Sequence, residues 1–203
     1  YEHVEGVYDR GGSRTNRAEA QRVVELVVRI LLNDPESGSI GIVTFNQAQQ
    51  SLIEDLLDEK RREIPEIDPY FTGDVSEPVF VKNLENVQGD ERDTIVFSVG
   101  YGPDQSGKLS MNFGPLNQDE GERRLNVAVT RARKRLRVYS SIRADQIDLR
   151  RTRSTGVRHF RTFLDYANRG PKAIAEAVDL PCVVYNVTSR TSLNMTHETT
   201  IRL

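Results

Sequence analysis

Apolar positions along this chain fall into two rhythms. Residues 39–45 (SIGIVTF), 79–84 and 94–99 are short runs in which apolar side chains are nearly continuous, as in buried strands. Residues 17–32 instead repeat apolar positions at spacings of three and four, which predicts an amphipathic helix with Asn16 as N-cap and Glu19 completing a capping box. A second helix is expected from Asn46 to about Arg61, with Asn46 and Gln49 at N-cap and N3 spacing. Residues 6–9 read as a strand before a glycine turn, and 135–141 alternate like a strand. Strands alternating with helices imply an α/β domain with a mostly parallel sheet covered on both faces. Ligands in such folds bind at the carboxyl ends of the strands, where the loops here carry their polar residues. After about residue 150 the composition changes. A helix is expected over 157–168, with Phe160, Phe163, Leu164 and Ala167 on one side and Asn168-Arg169-Gly170-Pro171 as its stop. The remainder to Leu203 is rich in Thr, Ser and Asn and carries no assignable chemistry.

The chain has 203 residues, enough for one good-sized domain over 1–150 and an extension over 151–203. With 28 basic and 30 acidic residues the net charge is -2, so any basic footprint must be local. One cysteine, Cys182, excludes an internal disulfide framework and fits a reducing, cytoplasmic setting. No apolar run is long enough to span a bilayer, so no membrane partner is expected. Tyr1 is not an initiator methionine, and the expectation is a segment of a longer polypeptide.

The most informative chemistry is the segment Arg123-Arg124-Leu125-Asn126-Val127-Ala128-Val129-Thr130-Arg131-Ala132-Arg133. On an ideal helix Leu125, Ala128, Val129 and Ala132 share one face, and Arg124 and Arg131 lie almost above one another on its flank. Two guanidiniums held that way can converge on one phosphate, although an arginine-rich stretch is also often only a solvated face. Residues 102–108 (GPDQSGK) match the start of a phosphate-binding loop. The match fails at Leu109, where a hydroxyl should ligate magnesium, and Asn112, Gly114 and Pro115 interrupt the helix that should follow. A surface loop is the better reading. Residues 86–93 (NVQGDERD) form a polar turn directly before a buried strand, with Gly89 allowing a tight bend. Metal sites are not expected, because His3, His159 and His197 are scattered and there is a single cysteine.

Together, Val87-Gln88-Gly89-Asp90-Glu91-Arg92-Asp93 before an apolar strand and the arginine segment resemble motifs V and VI of superfamily 1 helicases. The resemblance is nearest to the subgroup that contains the nonsense-mediated-decay RNA helicase and its bacterial DNA/RNA helicase relatives. Ile40-Gly41-Ile42-Val43-Thr44 with Gln49 is similar to motif IV, and Asn16-Arg17-Ala18-Glu19-Ala20 to the segment that opens the second motor domain. The resemblance covers about residues 1–142. It implies a three-layer RecA-like second motor domain that works with an N-terminal RecA-like domain of the same polypeptide, which carries the P-loop and the magnesium carboxylates. ATP and Mg would then be the cofactors. The resemblance further implies Arg131 as the arginine finger, Arg17 as a second γ-phosphate contact and Glu91 as a ribose partner, with Arg124, Gln88 and Gly89 shaping or supporting the ATP site. Single-stranded nucleic acid, DNA or RNA, would meet Thr44, Asn46, Asn83 and Asn86 at strand ends. Asn83 departs from the Ser or Thr of many relatives. The alternative is a non-catalytic nucleic-acid-binding or scaffold module with a helicase-like fold.

Overall fold

The structure is a computed structural model that describes residues 1–34, 38–73, 75–176, 182–186 and 191–195. Its centre is a five-stranded sheet in the order β1-β5-β4-β2-β3, formed by Glu2–His3 (β1), Ile40–Thr44 (β2), Phe80–Asn83 (β3), Arg92–Ser98 (β4) and Ala132–Ser140 (β5). Every pairing in it is parallel. All five β2 residues are buried, as the apolar run requires of a strand covered on both faces. Gly41 leaves room there for the Phe80 ring; a Cβ would come within 2.4 Å of it.

Two helices cover each face. On one lie α1 (Arg17–Asn33) and α2 (Gln47–Glu63), where Val23, Val27, Ile53 and Leu57 pack with Ile42 and Val96 of the sheet. On the other lie α3 (Gly121–Val129) and α4 (Thr155–Arg169), where Leu125, Ala128, Phe160 and Leu164 pack with Phe45, Ile95 and Phe97. The alternation of Ile95, Val96 and Phe97 between the two cores is the two-residue period of a strand. This is the expected three-layer α/β architecture of a RecA-like domain. Phe160 is fully buried, with Phe45 and Phe113 ring centroids at 5.3 and 5.4 Å, so α4 completes the second core. Beyond it lie a short helix α5 (Pro171–Glu176) and an antiparallel pair, β6 (Cys182–Asn186) and β7 (Thr191–Met195). The rest of the stretch left without assigned chemistry lies outside the described residues.

Three local expectations are corrected. Residues 6–9 are not a strand; β1 ends at His3, and the chain then crosses the carboxyl end of the sheet. Gly6 passes so close to Asn16 that a Cβ would sit 2.3 Å from its Oδ1. The arginine helix stops at Val129 rather than running on to Arg133. Thr130 caps it, with its N–H on Asn126 O and its Oγ1 donating to Val127 O. Ala132 is buried as expected, but as the first residue of β5, opposite Arg92. Strand pairing ends the helix, and Arg124 and Arg131 therefore do not share a helical flank. The third correction concerns Glu19. Asn16 does cap α1, accepting from Glu19 N at 3.2 Å, but the Glu19 carboxylate does not return the bond. The Asn16 N–H instead donates to Gln49 Oε1 at 2.8 Å.

Candidate nucleotide and nucleic-acid site

The expected site residues separate into two groups at opposite ends of the sheet. At the amino ends of β4 and β5, Glu91 and Arg131 immediately precede their strands, and main-chain pairing of Arg92 N with Arg131 O joins the two segments. Arg131 Nη1 lies 3.9 Å from Glu91 Oε1. Its Nε donates to Val127 O at 2.9 Å and its Nη2 to Thr130 Oγ1 at 3.1 Å. The guanidinium is thus oriented by neutral acceptors of its own helix end and only loosely paired with a carboxylate. Such a group keeps most of its charge available to an incoming anion. Gln88 and Gly89 are exposed in the preceding turn. Gly89 has φ +90° with open space around it, so the glycine is there for the backbone rather than for packing. Arg124, half-buried on α3, donates to Asp119 O at 2.7 Å and so braces the loop that enters the helix.

The two remaining arginines of the segment have structural partners: Arg123, exposed on α3, pairs with Glu120 Oε1 at 2.7 Å. Arg133 is on β5, where it pairs with Glu77, with Asp93 Oδ1 at 3.0 Å and with Ser39 Oγ at 2.9 Å. The Arg133 guanidinium holds the Glu77 carboxyl down at about 2. This network ties together the starts of β2, β4 and β5.

At the carboxyl ends stand the other candidates. Arg17 opens α1, exposed, with no side-chain hydrogen bond or ion pair among the described residues. A cation at the positive end of a helix dipole without a partner is unfavourable by itself and suits an anion from outside the chain. β5 has nine residues at about 3.3 Å each, so roughly 30 Å separates Arg17's end of the sheet from Arg131. Thr44 is buried and donates to Asn46 O at 2.9 Å. Asn46 caps α2 through Gln49 N at 2.8 Å, and its Nδ2 is buried. Asn83 is 4% exposed, with Nδ2 on Gln50 Oε1 at 2.9 Å and Oδ1 accepting from Glu85 N. Asn86 is exposed, although its Oδ1 accepts from Asn83 N at 2.7 Å. The structure therefore groups Thr44, Asn46, Asn83 and Asn86 at one end and offers Asn86 and the edge of Asn46 to solvent, while Thr44 and Asn83 shape the turn beneath them.

Sequence reasoning missed the polar network behind these strand ends. Glu19 is fully buried; its carboxylate accepts from Ser98 Oγ at 2.7 Å, Gly100 N at 2.6 Å and Ser141 N at 3.1 Å. Burial pushes its carboxyl up to about 8 against the pull of those three donors. The available signal was an acidic residue in line with Ala20 and Val23 on the apolar side of α1. Among the described residues, no group of three or more His, Cys, Asp or Glu is placed to hold a metal, and no helix is long and apolar enough to cross a membrane. The segment 102–108 is a loop closed by Asp104, whose Oδ1 accepts from Ser106 N and Lys108 N.

Residues 2–143 match the model of a family described as an AAA domain. The chain is 34% identical over 183 residues to an uncharacterized ATP-dependent helicase of Mycoplasma genitalium, covering 86% of this chain and 16% of that protein. It is 33% identical over 172 residues to the homologue in Mycoplasma pneumoniae, covering 81% of this chain and 14% of that one. The chain thus spans about one sixth of the length of the helicases it matches. A short stretch, 16% of the chain, is 72% identical over 32 residues to a 4-hydroxy-tetrahydrodipicolinate synthase of Phocaeicola vulgatus, where it covers 11% of the enzyme.

Proposed function

We propose, from the premise that the chain belongs to the AAA domain family and is a superfamily 1 helicase-type domain, that it is the C-terminal motor domain of an ATP-dependent nucleic-acid helicase or translocase. In this reading residues 1–150 are the second motor, 151–203 are its extension, and the first RecA-like domain lies on the same polypeptide. The subgroup proposed is the one that includes the nonsense-mediated-decay helicase, and single-stranded nucleic acid is the polymer.

The observation that carries the reading is the meeting of Glu91 and Arg131. Two segments 40 residues apart in sequence converge at the amino ends of adjacent strands, with the Gln88-Gly89 turn open beside them. Glu91 would accept from the hydroxyls of a ribose, and Arg131 would meet phosphate charge supplied from the first domain's side of the cleft. Magnesium ligands and the P-loop belong to that first domain. An arginine delivered to a γ-phosphate typically contributes about 10³–10⁵ in rate. In the two-domain protein Arg131→Ala should therefore abolish hydrolysis while nucleotide binding survives, and Arg131→Lys should not restore it, because a fork of donors is needed as well as charge. Near-normal turnover by Arg131→Ala would remove the assignment. This chain by itself should not hydrolyse ATP.

Arg17 is the second proposed phosphate contact. The length of β5 keeps it from sharing one phosphate group with Arg131 in this conformation, so its role is tested separately: Arg17→Ala should lower hydrolysis without changing the fold. Asn46 and Asn86, seated on Thr44 and Asn83, are the proposed nucleic-acid contacts. They face the polymer's backbone and impose no base preference.

A further inference from the structure

Five buried polar residues close a ring behind the carboxyl ends of the strands. Gln49 Oε1 accepts from Asn16 N at 2.8 Å, and Gln49 Nε2 donates to Asn16 O and to Ser98 Oγ, each at 3.1 Å. Ser98 Oγ donates to Glu19 Oε1 at 2.7 Å, and Glu19 Oε2 accepts from Ser141 N at 3.1 Å. Asn16 Nδ2 donates to Ser141 Oγ at 2.8 Å and closes the ring. All five residues are at most 3% exposed.

The Gln49 carboxamide holds both main-chain groups of Asn16, the residue that immediately precedes Arg17. Gln49's own main-chain N–H donates in turn to the Asn46 side chain, at Oδ1. Gln49 is therefore a strut with one end on the segment Thr44–Asn46–Gln49 at the start of α2 and the other on the first turn of α1. A buried amide making three hydrogen bonds has little freedom to shift independently of either partner. A displacement of the α2 cap is passed to the Asn16–Arg17 peptide, because the alternative is a buried, unpaired Asn16 N–H.

We infer that Gln49 is a positioning residue that couples nucleic-acid contact at Asn46 to the placement of Arg17, and through it to ATP hydrolysis; the inference rests on the motor-domain reading above. Glu19, anchored to Gly100 and Ser141, supplies the fixed base against which this strut acts.

The test is made in the two-domain protein with Gln49→Met, which keeps the volume and removes the bonds, and Gln49→Glu, which keeps an acceptor for Asn16 N–H. Hydrolysis is measured with and without a saturating single-stranded oligonucleotide, oligonucleotide affinity by fluorescence anisotropy, and folding by thermal melt. Gln49→Met should lower the stimulation ratio by about 5-fold or more, the scale of ordinary intersite coupling, with oligonucleotide affinity within about 3-fold of the parent. Gln49→Glu should fall between. In a double-mutant cycle, Gln49→Met should add nothing to the loss produced by Arg17→Ala. If Gln49→Met does not fold, Gln49→Glu and Ser98→Ala carry the same cycle. Additive losses, or an unchanged stimulation ratio, overturn the coupling while leaving the motor reading intact. An Arg17→Ala variant with full hydrolysis removes the Arg17 assignment and this inference with it; loss of activity in Arg131→Ala then still reports on the motor reading independently.

Discussion

Replacing Gly156 by alanine sets two effects of opposite sign against each other. Gly156 lies in the first turn of α4, and alanine there gains up to about 1 kcal/mol in helix propensity. A Cβ at that position, however, would stand 2.3 Å from Leu116 O and 2.9 Å from Gly121 C. Ordinary contact begins at 3.4 Å, so about 1 Å must be found, and both obstacles are backbone. Leu116 O is also the acceptor for the α4 cap, Ser154 Oγ, at 2.7 Å, so moving it loosens the helix start as well. Overpacking of a close contact costs about 1–3 kcal/mol, which exceeds the propensity gain. The net expectation is a destabilisation of about 1–2 kcal/mol, or roughly 2–8 °C in Tm for a chain of this size. Urea unfolding followed by circular dichroism and tyrosine fluorescence would read it, with Gly11→Ala, whose Cβ meets nothing within 4 Å, as the control expected to stay within about 0.5 kcal/mol. If Gly156→Ala is neutral or stabilising while m is unchanged, α4 does not approach α3 as closely as described, and the account of how the arginine helix is seated fails.

Three further outcomes are expected. Phe160→Ala removes a fully buried ring lying between Phe45 and Phe113 and should cost about 3–5 kcal/mol in chemical denaturation; a loss under 1 kcal/mol would mean that α4 is dispensable to the core. Glu19 titrates near 4.5 when unfolded and about 8 when folded, so the folded state binds more protons between those values and its stability should fall as pH rises through that window. Glu19→Gln should flatten that slope in urea midpoints measured from pH 5 to 8.5, and an unchanged slope would contradict it. Gly89→Val should cost about 1–3 kcal/mol by forcing a β-branched residue to φ +90°, yet with open space around it Gly89→Asn should cost clearly less; equal losses would point to packing instead of backbone strain.

Much of the domain was legible because its signals are local. A buried strand of a parallel sheet must be apolar throughout, and β2 and β4 declared themselves on that ground alone. Asn16 and Asn46 announced helix starts because a cap's partner is three residues away. The candidate site was legible as residue types in order: Gln88, Gly89 and Glu91 in a turn, then the arginines. Where the reading went astray, a distant partner had won. Arg131 and Arg133 fit a helix by local periodicity, but pairing of Ala132 with Arg92 left Arg131 in the turn before β5, and Arg133, held by the carboxylates of Glu77 and Asp93, lies in the strand. Glu19 satisfied the capping-box spacing, but the ends of β4 and β5 supplied three donors that a cap does not.

The sequence by itself determined the alternation of strands and helices, the parallel three-layer class and the chemistry on offer, since these follow from periodicity and residue type within a few positions of one another. Only the tertiary structure decided which groups meet. It placed Arg131 beside Glu91, left Arg17 at the other end of β5, and closed Asn16, Glu19, Gln49, Ser98 and Ser141 into one ring. Those contacts join residues up to 125 positions apart. They form because burying a polar group is costly unless a partner is brought to it, and that partner is chosen by the packing of the whole domain.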